Sequence, residues 1–270
     1  MNWNYFSQAF LVCVALLFSL TIYAAPTLHK FMAYEMGYGT YSFEEKLDHK
    51  IVFPVANIAA GLAYQRFSYV LNLSGSLSDA GISEEEQLGH GGRRDIDLTI
   101  GYQFNKKVSA FVGYKDGVSK IDLVNRLSPV GPGNGDERYQ QKGLYAGINY
   151  NWAYKNAGKL AISVAYARFD AQNTFLADEL YDSSGGDEFE FDDVSGSNDG
   201  TTSGFSYSLN WTMPIKGSLL FRTRLKINRY EQDISGLYYD DADGSSDNYF
   251  KFNNIAESST MLLVGVTKIF

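Results

Sequence analysis

The sequence is poor in cysteine, histidine and proline. Among 270 residues there are one cysteine (Cys13), three histidines and five prolines. A lone thiol near the N-terminus excludes disulfides and thiolate metal sites from the rest of the chain, which suits passage through an oxidising compartment. Few histidines leave few candidates for a general base or a metal ligand. The low proline content, with 20 Tyr, 18 Phe and 3 Trp, favours β-strands.

Positive charge is also in deficit, because 31 acidic residues outnumber 23 basic ones and give a net charge of −8. This balance argues against nucleic acid as a partner. The acids are segregated: residues 176–200 hold nine and residues 235–250 hold four, with no Lys or Arg in either segment. Lysines instead occupy short predicted turns, at Lys106, Lys107, Lys155 and Lys216.

Beyond the N-terminus the chain has no long hydrophobic run. The uncharged apolar stretch Ala9 to Tyr23 is short for a transmembrane helix and is typical of a secretory signal peptide. We predict cleavage after Ala24, hence a signal peptide over 1–24 and one domain over 25–270; an uncleaved anchor is the alternative. The mean hydropathy of −0.22 predicts no later membrane-spanning helix.

What the chain does contain is alternation of apolar and polar residues, which predicts ten strands. They are predicted at Phe31–Tyr41, Asn57–Gln65, Phe67–Ser78, Asp95–Phe104, Val108–Val118, Gly143–Tyr154, Lys159–Phe169, Gly204–Pro214, Ser218–Tyr230 and a last strand ending at Phe270. Short connections alternate with long acidic ones, the pattern of a single-chain antiparallel transmembrane β-barrel. Eight or twelve strands, or a soluble sandwich or barrel, are the alternatives.

The last ten residues, Met261 to Phe270, read MLLVGVTKIF and end on an aromatic residue. With Leu262, Val264 and Val266 on the face of Phe270, this segment resembles the closing strand of bacterial outer-membrane β-barrels, apart from Lys268 at the third place from the end. In that family the pattern is an assembly signal. The resemblance implies a Gram-negative outer membrane, contact with its lipid and lipopolysaccharide, handling by the barrel assembly machinery, and a monomer.

A ladder of cations marks the ninth predicted strand. Arg222, Arg224 and Lys226 alternate with apolar residues and are therefore expected to face the lumen. The expected counter-charges on inward faces are Glu35, Asp95 and Asp97. Such a ladder is consistent with a narrow anion-biased pore or with a salt-bridged plug that fills a small barrel; we favour the plug.

Catalytic signatures are weak. Asp95 and Asp97 lie on one face, as paired acids do in the omptin proteases, but none of His29, His49 and His90 sits in the Asp-x-His of that family or in the His and Ser pattern of lipid A-modifying enzymes. We therefore expect no enzyme activity, no metal and no cofactor. The sequence predicts a structural barrel or a narrow porin-like pore with a charged lumen. The alternative is a surface binding or adhesion protein acting through its acidic loops. A less favoured alternative is an outer-membrane enzyme active at the barrel rim, either an omptin-like protease or a lipid A-modifying enzyme.

Overall fold

The computed structural model describes residues 28–44, 48–78, 80–84, 87–125, 133–155, 157–178, 180–182, 189–191, 194–240 and 245–270. These residues form thirteen β-strands: β1 Leu28–Glu44, β2 Asp48–Tyr64, β3 Phe67–Ser76, β4 Ala80–Glu84, β5 Gln87–Gln103, β6 Val108–Asn125, β7 Gly133–Tyr154, β8 Gly158–Asp178, β9 Leu180–Asp182, β10 Phe189–Phe191, β11 Val194–Lys216, β12 Leu219–Asp240 and β13 Ser245–Ile269. No helix in this part of the chain is long and apolar enough to cross a membrane.

The strands close into a ten-stranded antiparallel barrel. Chain neighbours pair in order, β1 pairs with β13, and β3 pairs with β5, so the described strands form a closed ring. β3 and β4 both pair with β5 and are two segments of one barrel strand. β9 and β10 form a separate hairpin between β8 and β11. The predicted strand number and antiparallel topology are confirmed.

The register fixes the tilt of the strands. A walk along directly paired residues leaves β1 at Phe31 and returns to it at Phe43, which is 43 − 31 = 12 residues further on. The path is Phe31, Gly61, Val70, Thr99, Gly113, Tyr145, Ala167, Gly204, Tyr230, Glu257 and Phe43. With about 3.3 Å per residue and about 4.8 Å between strands, this shear tilts the strands by about 40°. A ten-stranded barrel of this shear has a narrow lumen that side chains can fill.

The two ends of the barrel differ. Gln65–Arg66, Phe104–Lys107, the residues around 155–157 and Gly217–Ser218 are short connections at one end, here called the turn end. β1 begins and β13 finishes there, and the Phe270 amide donates to the Lys30 carbonyl at 2.8 Å. The opposite end, called the loop end, carries the remaining connections. In outer-membrane barrels both termini face the periplasm, so the turn end corresponds to the periplasmic side.

The outer face is apolar in the half of the barrel nearer the turn end. Its exposed hydrophobic residues include Tyr34, Met36, Leu98, Ile100, Leu144, Ile148, Ile162, Leu209, Leu262 and Val264. Contacting aromatic rings lie near the turn end. The ring centroids of Tyr150 and Trp152 are 4.3 Å apart, and those of Phe67 and Tyr102 are 5.1 Å apart. An apolar band with an aromatic girdle is the lipid-facing surface of a transmembrane barrel.

The strands run further toward the loop end than the sequence predicts. β8 continues past Phe169 to Asp178, and β2 begins at Asp48 instead of Asn57. Several predicted long connections are thus mostly β-structure: only residues 45–47 separate β1 from β2, and 241–244 separate β12 from β13. The outward residues of these extensions are charged, for example Arg168 and Asp170 on β8, so the extensions project beyond the apolar band.

Candidate functional site

The predicted cation ladder lies inside the barrel and converges on one carboxylate. β12 points Phe221, Thr223 and Leu225 outward, and this places Arg222 and Arg224 in the lumen. Arg222 Nε lies 3.3 Å from Glu35 Oε1, and Arg224 forms an ion pair with the same carboxylate. Glu35 also accepts a 2.7 Å hydrogen bond from Asn57 Nδ2 and is fully buried. The sequence had assigned Glu35 as a counter-charge, and the register explains why it reaches the ladder: β12 is only one strand removed from β1, across β13.

A second ion network crosses the lumen closer to the loop end. Arg93 on β5 lies 3.2 Å from Asp95 and 3.5 Å from Glu257 on β13, while Lys115 on β6 lies 3.0 Å from Asp95. All four side chains are almost completely buried. The network therefore joins three strands through two cations and two anions, which neutralise one another away from water.

Neutral side chains complete this network. Gln232 Nε2 donates to Glu257 Oε2 at 2.8 Å, and Gln141 donates to the same oxygen. Gln141 also accepts from Arg93 at 3.3 Å, and the Arg93 guanidinium lies 4.7 Å from the Tyr41 ring centroid. A buried charge network is stable only when its members are hydrogen-bonded, and these amides supply those bonds. Sequence reasoning missed Arg93, Glu257, Gln141 and Gln232.

Asp97 and Lys226 are placed in the lumen without the salt bridge that the sequence suggested. Asp97 accepts a 2.9 Å hydrogen bond from Thr99 Oγ1 and another from the Tyr145 hydroxyl. Among the residues that the structure describes, neither Asp97 nor Lys226 has an ion-pair partner within 4.0 Å. Of the three predicted counter-charges, only Glu35 contacts the ladder directly.

Two inward glycines make room for these side chains. A Cβ at Gly117 would lie 2.4 Å from Asp95 Oδ1, and a Cβ at Gly113 would lie 2.2 Å from the Tyr145 ring. A side chain at Gly117 would require the Asp95 carboxylate to move, and one at Gly113 would require the Tyr145 ring to move. Glycine at these positions therefore leaves room for both inward side chains.

Apolar side chains fill the lumen on the loop side of the second network. They form one buried cluster that includes Tyr41, Ile51, Phe53, Ala80, Ile234 and Ile255. The cluster adjoins the ion network at Tyr41, and the side chains of both are almost inaccessible to solvent. On the turn side of the network lies a cavity of about 350 Å³ that the cation ladder lines.

Where the structure describes them, the predicted carboxylates and the histidines lie in separate parts of the barrel. Asp95 is buried between Arg93 and Lys115, inside the barrel and away from the rim. His90 is exposed on the outward face of β5, where it is paired across the strands with Asp122. His29 lies at the turn end, and the side chain of His49 is outside the described residues. In the described part of the chain, no three potential metal-ligating side chains cluster.

The predicted assembly signal lies on the outer face of β13. Leu262, Val264, Val266 and Phe270 are all exposed there, as alternation requires. Lys268, the departure from the family pattern, shares this face near the turn end, where its ammonium group can reach water at the membrane boundary. The strand is paired on both sides, with β1 and β12, and so closes the barrel.

Closed antiparallel strands, an apolar outer band and a polar, filled lumen define the fold of bacterial outer-membrane β-barrels. No protein-family model matches the sequence, and no curated protein matches it significantly. Solved structures do match. The outer membrane protease OmpT from Escherichia coli superposes with a TM-score of 0.63 at 12% identity, over 91% of this chain and 97% of OmpT.

Two further similar structures are more distant. The translocator domain of the autotransporter NalP from Neisseria meningitidis gives a TM-score of 0.44 at 9% identity, covering 98% of this chain and 95% of that domain. The Pseudomonas putida toluene transporter TodX gives 0.37 at 8% identity, covering 92% of this chain and 90% of TodX. At these identities the comparisons show the fold alone.

Proposed function

We propose that this chain is a non-enzymatic protein of the bacterial outer membrane whose lumen is closed to solutes. The observation that carries the proposal is the buried network of Arg93, Asp95, Lys115 and Glu257 across the barrel, with the apolar cluster behind it. A solute pore requires a continuous aqueous path lined by hydrated groups. The charged side chains of this network are instead paired with one another and buried from solvent. The function is therefore structural, or is exerted at the surface of the loop end.

Single-channel recording tests the closed lumen. The refolded protein over 25–270 is inserted into a planar bilayer, with the heat-modifiable mobility of folded barrels as the control for folding. We expect no stable openings. Steady, ion-selective openings that change in Arg222→Glu and Arg224→Glu would overturn the proposal. Arg229→Glu is the matched control, because Arg229 is a cation of the same strand that faces outward.

The absence of an enzyme activity is part of the proposal. OmpT is an outer membrane protease of the same fold, but a protease needs a water-activating group that substrate can reach. Asp95 is held by two cations within the plugged lumen, and His90 lies on the opposite, outward face of the same strand. Peptide or lipid hydrolysis by the purified barrel, lost in His90→Ala, would contradict this part.

A surface binding function is the second candidate. The hairpin of β9 and β10 lies between β8 and β11 in chain order, and seven of the nine acids of residues 176–200 fall between these two strands in the sequence. An acidic surface there suits a cationic ligand. If it binds one, the purified barrel will retain polylysine at low salt and a variant lacking residues 183–188, 192 and 193 will retain less. Equal retention by both proteins counts against this candidate.

The partners follow from the same proposal. The apolar band requires lipid around it, and the outward cations just beyond it, such as Lys142, Arg168 and Arg229, suit the phosphates of lipopolysaccharide. Assembly by the barrel assembly machinery would use the β13 face that ends at Phe270. We propose a monomer, since the described barrel closes on its own strands.

A further inference from the structure

The cavity on the turn side of the ion network, here called the vestibule, has both polar and apolar walls. Its polar wall residues include Ser68, Ser109, Asn149, Ser206 and Asn210, which come from four different strands. Its inner end is formed by Lys115, Phe169 and Tyr230. With a volume of about 350 Å³ it can hold a small molecule together with several waters.

Water reaches the vestibule from the turn end. Side-chain exposure is 22% at Arg222 and 13% at Arg224, but falls to 4% at Lys115 and 3% at Arg93. Exposure therefore decreases along the barrel from the turn end toward the ion network. The vestibule is a blind pocket that opens at the turn end and is closed at its inner end by Lys115 and the network.

Cations exceed anions in the vestibule. Arg222, Arg224 and Lys226 are successive inward residues of one strand, so their backbones are about 6.8 Å apart. Glu35 is shared by the two arginines. Asp97 is held by neutral hydroxyl groups, while Lys226 has no carboxylate within 4.0 Å among the described residues. Three positive charges thus face two negative ones, and one positive charge is left over.

The leftover charge lies among polar side chains. Ser208 on β11 is directly paired with Lys226 across the strands, and its hydroxyl also bonds Ser163 and accepts from the Asn210 amide. The Ser206 hydroxyl on the same strand donates to Asn228 Oδ1 at 2.8 Å. On the ladder itself, Arg222 Nη2 donates to the Asn210 carbonyl oxygen at 3.4 Å. An ammonium, guanidinium N–H groups and hydroxyls are the donors that bind carboxylate and phosphate oxygens.

We propose that the vestibule is a binding site for a small oxyanion, a carboxylate or a phosphate, which enters from the turn end and is held at Lys226. The proposal goes beyond the closed barrel described above. A single oxyanion neutralises the excess cation and leaves the salt bridges of Glu35 and Asp95 in place. Passage of the anion through the barrel is not required.

The test uses a single cysteine as a reporter. The protein over 25–270 has no cysteine, so Ser208→Cys introduces a unique thiol in the vestibule. Anionic and cationic methanethiosulfonate reagents of similar size are compared, with Gln172→Cys as the outward reference thiol. We expect the anionic reagent to be favoured at Ser208→Cys by about fivefold over the reference. An equal preference at both thiols would overturn the proposal.

Charge variants make the test directional. Lys226→Gln should abolish the anionic preference, and Asp97→Asn, which keeps a hydrogen-bond acceptor for Tyr145, should increase it. Arg229→Gln on the outward face is the matched control and should change nothing. Because the two vestibule variants act in opposite directions, loss of folding in one leaves the other decisive. A preference that is unchanged in both contradicts the site.

Protection identifies the ligand. Sodium phosphate or sodium acetate is added at constant ionic strength, with sodium chloride as the reference salt. Slower labelling of Ser208→Cys in phosphate alone indicates a phosphate site, in acetate alone a carboxylate site, and in both a general oxyanion site. If neither salt slows the labelling of Ser208→Cys, the vestibule is a positively charged cavity that binds no oxyanion, and the proposal is overturned. This result is distinct from conductance, which tests the closed lumen.

Discussion

Arg93 is the residue on which the closed lumen depends most. Its guanidinium pairs with both Asp95 and Glu257 and contacts Ser119 and Gln141, on four strands in all. A buried ion network contributes little net free energy relative to apolar packing, but the loss of one member leaves its partners charged and unpaired. The consequence of removing Arg93 is therefore larger than the value of any one of its contacts.

Replacing Arg93 by methionine should lower the free energy of unfolding by about 3–5 kcal/mol, because buried Glu257 loses its cation and Asp95 keeps only Lys115. Urea unfolding of the barrel in lipid vesicles measures this. Arg229→Met removes an outward, exposed arginine and should change stability by about 0.5 kcal/mol or less. Adding Glu257→Gln to Arg93→Met should restore part of the loss. If Arg93→Met is as stable as the parent protein, the network is not the structural centre of the lumen.

Leu209 tests the lipid-facing surface. It is exposed on the outer face of β11 near the middle of the apolar band. Leu209→Arg should therefore destabilise the barrel by about 2–4 kcal/mol, the cost of an arginine at the bilayer midplane. Gln172→Arg, on the outer face of β8 beyond the band, should cost about 0–1 kcal/mol. Equal effects of the two variants in vesicle unfolding would mean that the band is misplaced.

An inward residue can be predicted from the sequence only when the residues on either side of it are clearly less polar. Arg222 and Arg224 alternate with Phe221, Thr223 and Leu225, so the period of two separates inward from outward positions. Arg93 is flanked by Gly92 and Arg94, neither of which is apolar, so no alternation of polar and apolar residues marks Arg93 as inward. Pairing partners are a further limit, since a shift of register by one residue exchanges the two faces. The salt bridges therefore require the structure.

At the scale of the strand, each long strand has two parts with different chemistry. On β8 the outward residues are Ile162, Val164 and Tyr166 in the apolar part, then Arg168 and Asp170. The apolar part predicts a strand, while the second part is polar on its outer face and predicts a loop. Backbone pairing continues across the change because inward residues still fill the lumen. Sequence alternation therefore locates the membrane-embedded part of each strand better than its end.

The last strand carries a prediction on assembly. Phe270→Ala keeps the backbone hydrogen bond to Lys30 and removes only the outward aromatic side chain. If that side chain is the assembly signal, the variant should reach the outer membrane more slowly in cells yet unfold at the same denaturant concentration as the parent once folded. Pulse labelling of the heat-modifiable form measures assembly. Phe104→Ala, another exposed aromatic at the turn end, is the control. Normal assembly of Phe270→Ala would show that the Phe270 side chain is not the assembly signal.

At the scale of the molecule, the barrel is taller than a membrane is thick. β8 has 21 residues, and at about 3.3 Å per residue and a tilt of about 40° it rises about 50 Å along the barrel axis. The apolar band of a transmembrane barrel is about 25 Å tall. The vestibule lies within the band, whereas the part of the apolar cluster that holds Ile51, Ile234 and Ile255 lies in the projecting half. The plug therefore belongs mainly to the part of the barrel outside the hydrocarbon.

The height predicts an asymmetric profile in a bilayer. The apolar band begins at the turn end, so the turn end should be nearly flush with the headgroups and the loop end should project by at least about 15–20 Å. Atomic force microscopy of the reconstituted barrel, with both insertion orientations present, should show two height classes. Proteolytic trimming of the loop connections should leave the taller class near this value, since paired strands and not loops account for it. A single low class, or a collapse of the taller class on trimming, would mean that the strands end at the membrane surface.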